Sequence, residues 1–125
     1  MLEKSQLNRP SPGRVLRPIE RELIESMLTT WEHVTLDAKL SSSLVEDMQD
    51  GGMGSVRFLI PSKSSRHLGK AVATAEYIDE DGVPVSITIN VDQDGELYEM
   101  DFWKVDFSPL RRYPKISEIT TETNE

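Results

Sequence analysis

Cysteine is absent from all 125 positions, which excludes disulfides, thiolate metal sites and thiol nucleophiles together and suits a reducing compartment. Histidine is nearly as scarce. His33 and His67 are the only imidazoles, neither has a second histidine or an acidic residue at a metal-ligand spacing, and both read as surface positions. Serine is plentiful, but no G-x-S-x-G elbow is present to activate one as a nucleophile. No stretch approaches the roughly 18 apolar residues of a membrane-spanning helix. The first residues also contain no apolar run of signal-peptide length, so a soluble, cytoplasmic protein is expected. A chain of this length fits one domain with a real core.

Positive charge is the remaining shortage. The chain carries a net charge of -8, unevenly placed. Lys4, Arg9, Arg14 and Arg17 stand against Glu3 in the first seventeen residues, whereas residues 18–110 hold seven basic side chains against eighteen acidic ones, a net charge of -11. Such a field repels nucleic acid and anionic membrane and attracts a basic partner.

Residues 1–17 contain two prolines and a glycine without any period and read as a flexible basic arm. Pro18 then opens "PIERELIESMLTTW", where Ile19, Leu23, Ile24, Met27, Leu28 and Trp31 fall on one helical stripe. Residues 32–43 offer only Leu36 and Leu40 at helical spacing and read as a loop with at most one helical turn. Beyond them the period is two. "SLVEDMQ", "SVRFLI", "KAVATAEYI", "VPVSITINV" and "ELYEMDFWKVDF" alternate as strands, the last apolar on both faces and so interior or bent by a bulge. "DEDG" at 79–82 and "DQDG" at 92–95 supply tight hairpin turns. The expected fold is α+β: an antiparallel meander of about five strands with one amphipathic helix on one face. It occupies residues 18–114, with 115–125 as a polar tail.

Two loops invite a ligand. "DMQDGGMGSVRF" at 47–58 carries Gly51, Gly52 and Gly54, but it runs into a strand and has no Lys-Ser/Thr pair at a helix start. It is expected to be a tight turn at Asp50-Gly51 or a glycine bulge; the alternative is a site where a partner's backbone approaches closely over Gly52 and Gly54. "NVDQDGELYEMD", from Asn90, puts oxygen side chains near EF-hand positions, yet strands flank it and Asp101 stands where a bidentate glutamate belongs, so a hairpin is expected. No cofactor or metal site and no catalytic set follow. In "DFWKVDFSPL", Phe102, Trp103 and Phe107 are expected to close the core, with Lys104 and Asp106 partnered near the edge. The alternative is a recognition surface, an indole beside carboxylates.

The stretches "RPIERELIESML", "VEDMQDGGMGSVRFL" and "DEDGVPVSITINVDQDGELYEMDFWKVDFSPL" resemble an uncharacterised family of small bacterial domains. That family has an Arg-Pro opening before its first helix, a DGGMGS turn and a WKVDFSPL close, and the likeness spans Arg17 to about Pro114. It implies no established activity; in size and acidity the chain is also similar to immunity proteins encoded beside bacterial toxins. The expected function is a non-enzymatic, acidic protein-binding domain, immunity-type in form, blocking a basic partner protein. Asp47, Asp50, Glu99, Asp101, Trp103 and Asp106 are its candidate binding residues. The competing reading is an enzyme using the carboxylates of Glu99, Asp101 and Asp106, with or without a metal. Homo-oligomerisation stays open.

Overall fold

In a computed structural model, which describes residues 13–123, every stretch of period two is a strand. The elements in order are β1 (Arg14–Val15), α1 (Pro18–Met27), α2 (His33–Ser42), β2 (Leu44–Asp47), β3 (Val56–Leu59), β4 (Leu68–Ile78), β5 (Pro84–Asp92), β6 (Leu97–Lys104), a 3-10 turn (Ile116–Glu118) and β7 (Thr120–Thr123). The sheet is antiparallel throughout, in the order β1-β2-β3-β6-β5-β4-β7.

This corrects the expected five-strand meander with one helix: the fold is α+β, but with seven strands, a non-sequential order and two helices. Each difference has a local cause. The core-facing residues of α2 are Leu36 and Leu40 alone while Val34 is exposed, too thin a stripe to distinguish from a loop by period. β1 is two residues long and β7 is the wholly polar "TTET", so neither carries an alternating apolar signal. Residues 1–12 of the expected arm, and 124–125 of the tail, lie outside the described residues.

The strand order depends on where the β2–β3 hairpin docks. β3 pairs with β6, Val56 opposite Met100 and Arg57 opposite Glu99, and not with its successor β4. Arg66 fastens this junction from the β3–β4 connection by donating to the carbonyls of Phe58 (2.7 Å) and Leu97 (2.6 Å). At the other end of the hairpin, the glycine loop seats on the segment after β6. The Leu110 N–H donates to the Gly52 carbonyl at 3.1 Å. A Cβ on Gly52 would come within 3.3 Å of Pro109, and one on Gly54 within 3.1 Å of Leu110. Both glycines have positive φ, 83° and 97°, so close approach and backbone conformation together disfavour any other residue there. What approaches Gly52 and Gly54 is thus the chain's own Pro109 and Leu110.

α1 and α2 cover one face. Leu23, Ile24, Met27 and Leu28, with Leu36 and Leu40, bury against Val45, Val56, Phe58, Ala73, Ala75, Val85, Ile87, Ile89, Met100 and Phe102. Arg14 pins β1 to α1: its guanidinium meets the buried Glu20 carboxylate twice, at 2.9 and 2.8 Å, while Glu20 also accepts the Arg17 N–H at 2.8 Å. The least expected member of the core is Lys104. Its ammonium is fully buried and donates to Asp79 (2.9 Å), Asp81 (2.7 Å) and the Pro109 carbonyl (3.0 Å). Burial favours the neutral amine, but Asp81 and Asp79 outweigh it and keep the charge.

Asp79 opens the first Asp-Gly turn, and its carboxylate also accepts the N–H groups of Glu80, Arg111 and Arg112 at 2.7, 2.8 and 3.2 Å. Asp92 opens the second in the same way, accepting Lys63 (2.8 Å), Arg66 (2.9 Å) and the N–H groups of Asp94 (2.8 Å) and Glu96 (3.0 Å). Burial alone would raise both carboxyls. Hydrogen bonds to Arg111 and Lys104 hold Asp79 at about 2 instead, and Lys63 and Arg66 hold Asp92 well below the ordinary range.

Carboxyls depressed on folding stabilise above the unfolded value, about 4, and the contribution is lost as pH falls through the folded value. The unfolding midpoint, followed by circular dichroism, is therefore expected to be level from pH 7 to about 5 and to fall steeply below about 4. In Asp79→Asn, which leaves the buried Lys104 with Asp81 as its one carboxylate partner, the midpoint is expected to be lower at pH 7 and the acid limb shallower.

Candidate interaction surface

The helices leave the second face of the sheet open, and cross-strand register arranges its side chains in rows. One row reads Glu46, Arg57, Glu99, Asn90 and Ala71; the next Asp101, Thr88, Thr74 and Glu122; the third Trp103, Ser86, Glu76 and Thr120. Within these rows Arg57 is the one cation against five carboxylates, Glu46, Glu76, Glu99, Asp101 and Glu122. A bulge at Tyr98 shifts register between Asn90 and Val91, bending β6 where its apolar pattern faces both ways. The guanidinium carbons of Arg57 and Arg66 lie 5.0 and 5.2 Å from the centre of the Tyr98 ring there.

Beyond the third row the open face turns apolar. Trp103 (47 % exposed), Ile78 (59 %), Val105 (52 %) and Phe107 (63 %) stand at one corner beside the exposed Pro84. Trp103 and Phe107 meet edge to face at 4.9 Å and 82°. Phe107 sits at φ 64°, a left-handed conformation that a side chain adopts at a cost of roughly 1–2 kcal/mol. The turn that imposes it is closed by the Phe107 N–H on the Lys104 carbonyl at 2.9 Å.

The expectation that Trp103 and Phe107 close the core is thereby corrected; Phe102 alone of the three does so. In-and-out alternation decides the matter: Met100, Phe102 and Lys104 face the helices, so Trp103 must face away. A lysine in phase with two core residues was the available signal.

The other candidates separate into groups. Glu99 and Asp101 share the open face with Trp103, as their spacing predicts. Glu99 accepts Arg57 and Asn90, both at 3.1 Å. Asp101, half-buried, meets only the Ser55 hydroxyl, at 3.4 Å, and no cation pairs with it among the described residues. Burial, then the neighbouring Glu99 carboxylate, and more weakly Asp50, push its carboxyl up, and Ser55 offsets this only in part. Asp106 lies beyond β6 and closes its own turn on Ser108, accepting the N–H at 3.0 Å and the hydroxyl at 2.6 Å. Asp47 is exposed and paired with Arg14 at 2.8 Å. Asp50 points into the glycine loop, where it accepts the N–H groups of Met53 (3.0 Å) and Ser55 (2.9 Å). The anion that this loop cradles is its own carboxylate. At the second Asp-Gly turn, Lys63 and Arg66 likewise occupy the cation positions around Asp92.

Two hollows of about 360 and 450 Å3 flank Ile60 and Pro61, one toward Lys39 and Glu96, the other toward Arg57 and Tyr98. Neither is lined by Asp101, Trp103 or Asp106. His33 heads α2 and His67 precedes β4.

Residues 13–114 match the family described as Domain of unknown function (DUF6984), and the chain belongs to that family. No curated protein and no solved structure matches it.

A carboxyl raised on folding destabilises the folded state wherever it is ionised, and the penalty disappears at a pH where it is protonated in both states. Asp101→Asn is therefore expected to raise the unfolding midpoint at pH 7 and to leave it unchanged near pH 3, the reverse of Asp79→Asn. Thermal unfolding of the two variants at both pH values checks the sign.

Proposed function

We propose that the chain is a non-enzymatic, acidic protein-binding domain that docks a basic protein on the open face of its sheet. The observation that carries this reading is Asp101, an unpaired, half-buried carboxylate two residues from an exposed tryptophan. In the free protein that arrangement is unfavourable twice over, because a charge lacks its counterion and an aromatic corner is left in water. A lysine or arginine brought against Asp101, with apolar contact over Trp103 and Phe107, would relieve both.

Glu46, Glu76 and Glu122 around them would steer a basic surface and fix its orientation, while the aromatic pair supplies desolvated contact. The strained Phe107 backbone fits a residue kept for what its ring touches. Glu99, Asp101 and Asp106, the carboxylates that an enzyme would need, line neither hollow, which favours docking over catalysis. An immunity-type protein covering the basic site of a toxin is the form of this role that the acidity and small size suit.

Capture on the immobilised chain from its host, followed by a salt series on the purified partner, tests the proposal. The partner is expected to be basic and its affinity to fall as salt rises. Trp103→Ala is expected to weaken binding by about 30-fold, the size of a 2 kcal/mol anchor. Phe107→Gly relieves the backbone, so it should fold at least as well and still bind more weakly. Affinity indifferent to salt and to both substitutions overturns the reading.

A further inference from the structure

The two edges of the sheet differ. β1 offers two residues, and Arg14 in it is held by Glu20 and Asp47. β7 offers four, "TTET", with no proline, lysine or register break, the devices that ordinarily blunt an edge. α1 approaches β7 on the core face without burying it: Thr121 pairs with Ala75, which is buried, yet Thr121 itself is exposed. A depression of about 390 Å3 lies along the β4–β7 pair, lined by Thr74, Ala75, Glu76, Thr120, Thr121 and Glu122. A terminal strand has main-chain donors and acceptors on its outer side that an extended segment can pair with, while alternate side chains set which segment fits.

We infer that β7 accepts an extended, basic segment of the partner protein as an eighth strand. The inference rests on the proposed docking of a basic protein, and it adds the place and backbone form of the contact. Charge chooses the occupant. Thr120 and Glu122 extend the third and second open-face rows to this edge, with Glu76 one strand inward. Side chains at alternate positions of an added strand would stand beside these carboxylates, so a segment with lysine or arginine at every second residue satisfies backbone and charge together. A second copy of the chain would instead bring Glu122 toward Glu122 between molecules that each carry -8.

The test uses the full chain, 15N-labelled, and three synthetic peptides. In the first lysine alternates with valine and threonine; the second has the same charge with prolines at its centre; the third replaces lysine with glutamate. The first is expected to slow amide exchange across Thr120–Thr123 at least about tenfold and to shift the Trp103 indole resonance. The second is expected to shift Trp103 without protecting β7, and the third to do neither. Glu122→Lys should reduce the protection given by the first peptide.

If both basic peptides shift Trp103 and neither protects β7, the edge inference falls while the docking face stands. No response of Trp103 or any other open-face residue to either basic peptide overturns the docking reading with it. Equal protection by the glutamate peptide overturns the basic character of the strand. Protection of β7 without peptide that grows with protein concentration assigns the edge to a second copy and overturns the inference.

Discussion

A lysine with no contact with water holds this fold together and also decides what the fold presents outside. Lys104 ends β6, and its ammonium joins the β4–β5 turn, through Asp79 and Asp81, to the chain after β6, through Pro109. That segment in turn packs under Gly52 and Gly54, so three stretches far apart in sequence converge around one charge. A buried ion pair is poor evidence of stability in itself, because an apolar replacement of both partners often serves as well. Its consequence here is geometric. An ammonium placed inward at Lys104 obliges Trp103 and Val105 to face outward, since neighbours in a strand alternate. The aromatic corner on the open face therefore follows from a polar choice in the core.

The same dependence explains what could be read from the residues in advance. Period-two alternation and Asp-Gly turns are local properties, and they locate β2 to β6 and both hairpins of the β4–β5–β6 meander. The helical stripe likewise locates α1, although the helix ends at Met27, short of Trp31, and Ile19 at its start is exposed. Strand order is not local. That β3 joins β6 depends on Arg66 reaching the carbonyls of Phe58 and Leu97, and on two glycines admitting Pro109 and Leu110. These contacts have no periodic signature. Short or polar elements, β1, β7 and α2, owe their structure to neighbours and carry little pattern of their own. For the candidate surface, the shared face of Glu99, Asp101 and Trp103 was legible from spacing alone. The outward orientation of Trp103 and Phe107 was not, because lysine is ordinarily assigned to the surface and apolar rings to the core.

Three aspartates show why loops that resemble ligand sites need none to be complete. Asp50, Asp79 and Asp92 each stand at the start of a glycine-containing turn and accept backbone N–H groups from it or from a neighbouring segment. Asp79 and Asp92 also meet buried basic groups. Anion cradle and cation position are thus both filled from within the chain, and the backbone donors of a turn are satisfied as buried donors must be.

The surface charge is what this internal pairing leaves over. Lys104, Lys63, Arg66 and Arg14 are each bound to a carboxylate, and the first three close loops or join strands. A chain with few cations that commits them to structure has few left to neutralise its open face, where Arg57 stands among Glu46, Glu99 and Asp101. Five carboxylates against Arg57 stand in the rows on the side of the sheet that the helices do not cover, next to exposed aromatic rings. Net charge alone would favour solubility and repel copies of the same chain. Charge set beside apolar surface that is costly to leave in water is the arrangement from which complementary docking draws both orientation and affinity.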